Sequence, residues 1–218
     1  MTAIDIERVD VRRPGASLQG VSLRVAPGER VAVVGTHQPS LSLLIRACAG
    51  FERVSQGRIE VAGVDVGAAD RVALLRLRRS LGYVSIAGGL LSNMTLRENL
   101  ELALRYHGVA ASDARAQVAA RIEAVGLQAD ADLRTCMAPA ELCKCFAYVR
   151  ALLFNPAVLL AEDPSAYLHP QGREIVAALH ADAAARGVTM LIADDDLDFV
   201  RPLVDRVISL DTASGVVS

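Results

Sequence analysis

Along the chain, apolar residues recur in two distinct rhythms. Residues Ile4 to Val11 and Leu18 to Val25 alternate apolar with polar, which predicts two antiparallel strands around a turn at Pro14-Gly15. Val31 to Val34 is an unbroken apolar run, the pattern of a strand covered on both faces. Further strands are expected at Gly57–Val61, Leu81–Ser85, Ala157–Ala161, Thr189–Ala193 and Arg206–Leu210. Helical spacing takes over between them. Leu41 to Ala49 reads as an apolar helix, and Asp70 caps a helix reaching about Arg79. Thr95-Leu96-Arg97-Glu98 is a capping box opening a helix with Leu96, Leu100, Ala103 and Leu104 on one face. Ser112 to Val125 is a helix ended by Gly126, and Gln128 to Ala138 reads as a linker. Pro139, Ala140 and Glu141 start a helix whose Leu142, Phe146, Val149 and Leu153 share a face. Two more helices follow, at His169–Ala185 and Leu197–Val204. Strands alternating with helices predict an α/β fold with a mostly parallel sheet covered on both faces.

The segment RVAVVGTHQPSLSLLIRACAG, residues 30–50, places a buried strand, a loop and a helix in series. That is the frame of a phosphate-binding P-loop, G-x-x-x-x-G-K-[ST]. Here Gly35, Ser40, Leu41 and Ser42 occupy its fixed positions, so the second glycine is serine and the lysine is leucine. Pro39 removes an N–H donor, and Gln38 and Ser40 add side chains where glycine permits close approach. Each lost charge-assisted hydrogen bond is worth roughly 1.5–3 kcal/mol, so two or three losses would weaken phosphate binding by orders of magnitude. Ser42 stands at the magnesium-ligand position, and it is also a residue type that caps helices.

Composition narrows the setting. A chain of 218 residues is one domain, or a domain with a sub-domain. It is 52% hydrophobic but only 4% aromatic, as in alanine- and leucine-rich α/β proteins. A formal charge of −2 gives no electrostatic footprint for nucleic acid. No apolar run reaches the length of a membrane span, and the N-terminus has no signal-peptide pattern. The chain is therefore expected in the cytoplasm, with membrane contact only through a partner. The single lysine, Lys144, is remote in sequence from the loop, and Arg46 lies more than a helical turn past Leu41. Cys48, Cys136, Cys143 and Cys145 are expected to be inert thiols, since C-x6-C-x-C without a matching histidine cluster is a weak metal signal.

Five segments fall in an order that resembles the ATPase subunit of an ABC transporter across nearly the whole chain. They are GVSLRVAPGERVAVVG, GRIEVAGVDV, LGYVSIAGGLLSNMTLRENL, FAYVRALLFNPAVLLAEDP and VTMLIADDDLDFVRPLVDRVISL. The resemblance implies a P-loop NTPase-like core with antiparallel β strands, residues 1–85 and 133–218, and a helical sub-domain, residues 86–132, that touches the membrane subunit. The stretch GLLSNMTLRENLELALRYHG looks most like ATPases of lipid-trafficking ABC systems. By the same resemblance, the adenine-stacking aromatic falls at Arg13 and the Q-loop glutamine at Ile86. The signature LSGGQ falls on Ala138-Pro139-Ala140-Glu141-Leu142, and the Walker B acids appear reversed as Glu162-Asp163. The D-loop aspartate is His169 and the switch histidine is Asp195.

These departures set the expectation of a pseudo-ATPase: a non-enzymatic structural or regulatory half that pairs with a permease, a catalytic ABC ATPase, or both, as a homo- or heterodimer on the cytoplasmic face of the inner membrane. Glu162, Asp163, Asp195 and Ile86 are then vestigial catalytic positions, and Pro139, Ala140 and Glu141 a vestigial signature. Glu141 is expected near a partner's γ-phosphate, where its charge would oppose closure. ATP and magnesium are cofactors only where the site keeps residual function, with Ser42, Glu162 and Asp163 the candidate metal ligands. Two alternatives remain open: an unorthodox active ATPase using the same acids, and a soluble regulatory or divalent-cation-binding domain built on Glu162, Asp163, Asp194, Asp195 and Asp196.

Overall fold

The computed structural model describes residues 2–210. Strands β1 (Ile4–Arg13) and β2 (Ala16–Val25) pair antiparallel around the Pro14-Gly15 turn, in line with their alternation. After β3 (Arg30–Val34) comes α1 (Gln38–Cys48), then β4 (Gln56–Val61), β5 (Val64–Asp65), α2 (Arg71–Ser80) and β6 (Leu81–Val84). Helices α3 (Leu96–Tyr106), α4 (Ala111–Ala124) and α5 (Ala140–Leu152) follow. The chain then alternates through β7 (Val158–Glu162), α6 (Pro170–Ala185), β8 (Thr189–Ala193), α7 (Leu197–Val200) and β9 (Arg206–Ser209). Asp70 accepts from Ala73 N–H at 2.7 Å, and both halves of the Thr95–Glu98 capping box are formed.

The strands make two sheets. The antiparallel one has the order β2-β1-β4-β5, and the parallel one β6-β7-β8-β3-β9. Alternation within the parallel strands sorts the core into two layers. Ala32, Val34, Leu159, Ala161, Met190 and Ile192 face one cluster with α3 to α6. Val31, Val33, Leu160, Leu191 and Ala193 face the other, shared with α1 and the antiparallel sheet. No helix among the described residues is long and apolar enough to cross a membrane.

Three expectations shift. Helix α1 begins at Gln38, not Leu41, because Pro39 fits a first helical turn and takes the chain into it early. The span expected as a linker, Gln128 to Ala138, is ordered: it holds 3-10 turns at Gln128–Asp130 and Thr135–Met137. It is sewn to the start of α3 by Leu96 N–H to Leu133 O at 3.0 Å and Arg97 N–H to Ala131 O at 2.8 Å. The helix expected to run to Val204 stops at Val200 and tightens into a 3-10 turn at Arg201–Leu203, where Pro202 cannot donate.

Candidate functional site

The carboxyl ends of β3, β7 and β8 meet the start of α1, the place where open α/β sheets gather ligands. On the α1 side, Leu41 is fully buried and packs into the second core layer. The Ser40 and Leu41 N–H groups both donate to His37 O, at 2.9 and 3.3 Å, and so turn into the helix rather than outward. Ser40 Oγ donates to Ser17 O at 2.9 Å and meets His37 Nδ1 at 2.8 Å, tying the loop to β2. Thr36, His37 and Gln38 N–H groups donate to no described residue, leaving a short run of amides at the helix N-terminus. Gly35 has a packing reason of its own: a Cβ there would lie 2.7 Å from Leu210 O. Ser42 is not a cap, since it lies inside α1 and His37 holds the N-cap position. Its Oγ is sealed from solvent without a hydrogen bond, although it lies close enough to Glu162 to favour the ionised carboxylate.

The opposite wall is acidic. Glu162 ends β7, is buried, and accepts from the Tyr83 hydroxyl. Burial raises its pKa against the pull of Tyr83, Arg46, Ser42 and Lys144. Asp163 follows in the left-handed region at φ 45°, a conformation aspartate tolerates better than most residues, and its N–H reaches Ala193 O at 2.6 Å. Its pKa is also raised, by burial first and then by Asp195, while Lys144 opposes. Asp194 is wholly buried and accepts from Ser165 N–H at 2.8 Å, Ser165 Oγ at 2.9 Å and Asp196 N–H at 2.9 Å. Burial nonetheless pushes its pKa up to about 6. Oxygen atoms of Asp163, Asp194 and Asp195 all lie within 4.8 Å of one another. Asp196 does not join them: it caps α7 through Phe199 N–H at 3.0 Å and pairs with Arg173 at 2.6 Å.

Sequence reasoning missed the floor of this site. Lys144, remote from the loop in sequence, is buried beneath the acids, and its Nζ donates to the carbonyls of Ser85 (3.3 Å), Ile86 (3.1 Å) and Glu162 (3.1 Å). Burial lowers its pKa to about 8, against the attraction of Asp163, Asp194 and Glu162. Half-buried Ile86 thus contributes a carbonyl, not a side chain. A lone lysine amid the apolar stripe of a predicted helix was the available signal.

Two other residues of interest are paired within the chain. Arg13 Nε meets Glu52 at 2.5 Å, and Arg46 meets the other oxygen of that carboxylate at 2.7 Å. Glu141 is engaged within the chain. Its Oε1 accepts from His169 N–H at 2.8 Å and Gly172 N–H at 3.2 Å, capping α6 from the first turn of α5. Pro139 is the N-cap of α5 and Ala140 its first residue, so the signature segment is a helix start. All four cysteines are free.

A parallel sheet flanked by helices, an antiparallel sheet beside it, and a strand–loop–helix facing strand-end acids define an ATP-binding-cassette fold with a P-loop NTPase-like core. The chain belongs to the ABC transporter family, whose profile matches residues 18–166. It is 34% identical over 210 residues to the methionine import ATP-binding protein MetN of Brucella abortus, covering 94% of this chain and 57% of that protein. It is 33% identical over 197 residues to MetN 2 of Burkholderia mallei, covering 90% of this chain and 50% of that protein. The chain thus spans little more than half the length of these curated relatives. Among solved structures, the dimeric ATP-binding cassette MJ0796 bound to ADP and Pi superposes with a TM-score of 0.87 at 21% identity, over 96% of this chain and 94% of that one. Clostridium perfringens cbiO1, part of the transporter complex cbiONQ, gives 0.82 at 22% identity, over 100% and 87%. These findings overturn the expectation of a non-enzyme: the relatives are named ATP-binding import proteins.

Proposed function

We propose that the chain is the ATP-binding, ATP-hydrolysing subunit of an ABC transport system. The observation that carries this reading is the meeting of Ser42 on α1 with Glu162, beside Asp163, at a strand end of a cassette fold. A sealed, unpartnered hydroxyl beside a buried carboxylate is a donor pair suited to a hard cation, so Ser42 and Glu162 are the residues that would hold magnesium. Magnesium supplies neutralisation of phosphate charge when bound. Asp163, whose pKa burial raises, takes the general-base position for the attacking water. Lys144 holds the strand ends together and offsets the acids from below. The amides of Thr36, His37 and Gln38 face the phosphates in place of a lysine. A cavity of about 430 Å³ lined by Arg13, Ala16, Ser17, His37 and Ser40 takes the nucleoside, where a planar guanidinium stacks on a base as an aromatic ring does.

The partner is a permease, seated on a groove of about 330 Å³ between α2, α3 and α5 whose walls include Leu75, Arg78, Tyr106, His107 and Phe154. Residues 86–132 form the sub-domain that meets it. The names of the relatives favour import of a small solute of amino-acid type over lipid trafficking. A second cassette completes the working unit, as in the dimeric MJ0796. The test is calorimetric titration with ATP–Mg²⁺ followed by phosphate-release assays in the presence of the permease. Saturable binding and turnover that fall in Glu162→Gln are expected; absence of both in the intact complex would refute the assignment.

A further inference from the structure

Arg13 is the last residue of β1, at the tip of the β1–β2 hairpin beside Gly15, and its side chain is 54% exposed. A long side chain at such a tip ordinarily samples many rotamers, and fixing one when a ligand arrives costs affinity. Here the fixing is done beforehand by a residue from another part of the chain. Arg13 Nε donates to Glu52 Oε2 at 2.5 Å.

Glu52 belongs to the turn that leaves α1, where Phe51 N–H bonds back to Arg46 O at 2.9 Å and Gly50 takes a left-handed φ of 69°. Its side chain is only 4% exposed, and its second oxygen accepts from Arg46 Nε at 2.7 Å. Burial works against its charge, but the hydrogen bonds from Arg46 and Arg13 hold the carboxyl below its usual range. Arg46 alone balances that charge, so the second guanidinium is surplus to the packing of the turn. The hairpin meets α1 at another point too, through Ser40 Oγ to Ser17 O at 2.9 Å. Arg13, Ser17 and Ser40 all line the 430 Å³ cavity, and Glu52 does not.

We propose that Glu52 is a positioning residue for nucleotide: it sets the Arg13 guanidinium at the cavity before a base arrives, without touching the base. An aromatic ring is stiff through its own two torsions. This chain places a flexible side chain there and takes the stiffness from a buried carboxylate on α1. The inference rests on the nucleoside role given to Arg13 above.

The experiment is calorimetric titration of the chain with ATP–Mg²⁺, with steady-state turnover by the assembled transporter alongside. Glu52→Gln should weaken binding and raise KM about two- to tenfold, the range for ordering one rotamer-rich side chain, and leave kcat within about twofold. Glu52→Asp keeps the buried charge but shortens the reach to Arg13, and should fall in the same range. Arg13→Ala should weaken binding at least as much, with no further loss when Glu52→Gln is added. In an Arg13→Phe background the ring needs no ion pair, so Glu52→Gln should leave binding unchanged. A Glu52 that merely holds the turn together would weaken binding in both backgrounds, and that result overturns the inference. So does a fall in kcat with KM unchanged. ATP binding that ignores both Glu52 variants overturns this inference alone, whereas no ATP binding by the native chain overturns the proposed function with it.

Discussion

At the start of α1, a position that carries an ammonium in the P-loop pattern has turned inward and apolar, with Leu41 fully buried in the core and Ser40 tied back to β2. Facing it, the ends of β7 and β8 remain polar and keep four carboxylates, Glu162, Asp163, Asp194 and Asp195, over a buried lysine. The two walls stand on one sheet and obey the same packing rules, yet only one has been absorbed into the core. With leucine at position 41, the α1 turn is stabilised by burial. Carboxylates at strand ends have no such route, because burying them unpaired is costly. They are held instead by Tyr83, Ser165 and main-chain N–H groups. Chemistry is therefore expected on the acidic wall.

The largest test of this contrast is Leu41→Lys. If Leu41 is part of the core, the new ammonium enters an apolar layer, and the loss should be about 3–5 kcal/mol, a fall of roughly 10 °C in melting temperature for a chain this size. An unchanged melting temperature with tighter ATP binding would mean the α1 wall is still a working phosphate loop.

Acid should act on the frame through a buried histidine. His180 is fully buried against Tyr148, and burial, with Arg30 contributing, lowers its pKa to about 4. The unfolded chain takes up that proton near pH 6.5 and the folded one only near 4, so His180 costs stability progressively as pH falls through this window, up to about 3 kcal/mol. Thermal melts from pH 7 to 4.5 should fall more steeply for the native chain than for His180→Leu. Parallel pH profiles would place the acid sensitivity elsewhere, in the walls themselves.

A smaller effect is expected at Glu141. Replacing it with alanine removes the cap on α6 and should cost about 1 kcal/mol, read in urea unfolding. Gly172→Ala should cost a similar amount, because its Cβ would lie 2.3 Å from Glu141 Oε1 and displace the same carboxylate. The double variant should lose little more than either alone. Additive losses would mean that the two residues do not act through one contact.

Much of the frame was legible because its signals are local. Alternation in β1 and β2, unbroken apolar runs in β3, β7 and β8, and the caps at Asp70 and Thr95 each act within a few residues. The candidate site was legible only as a set of positions. That Asp163 and Asp195, 32 places apart by their numbers, share a cluster follows from β7 and β8 being neighbours in the sheet. Lys144 under the acids, Arg13 on Glu52 and Glu141 on α6 are tertiary choices that no spacing rule contains. The early start of α1 was hidden by the expectation of a full-length loop, although Pro39 already argued for a helix there.

The most direct measurement is ATP turnover by the assembled transporter, compared between Asp163→Asn and Leu41→Met. Removing a general base should lower turnover about a hundredfold or more, while a volume-conserving change in the core should leave it within about threefold. Turnover that survives Asp163→Asn, or that is lost in Leu41→Met with the fold intact, would contradict the assignment of the chemistry to the acidic wall.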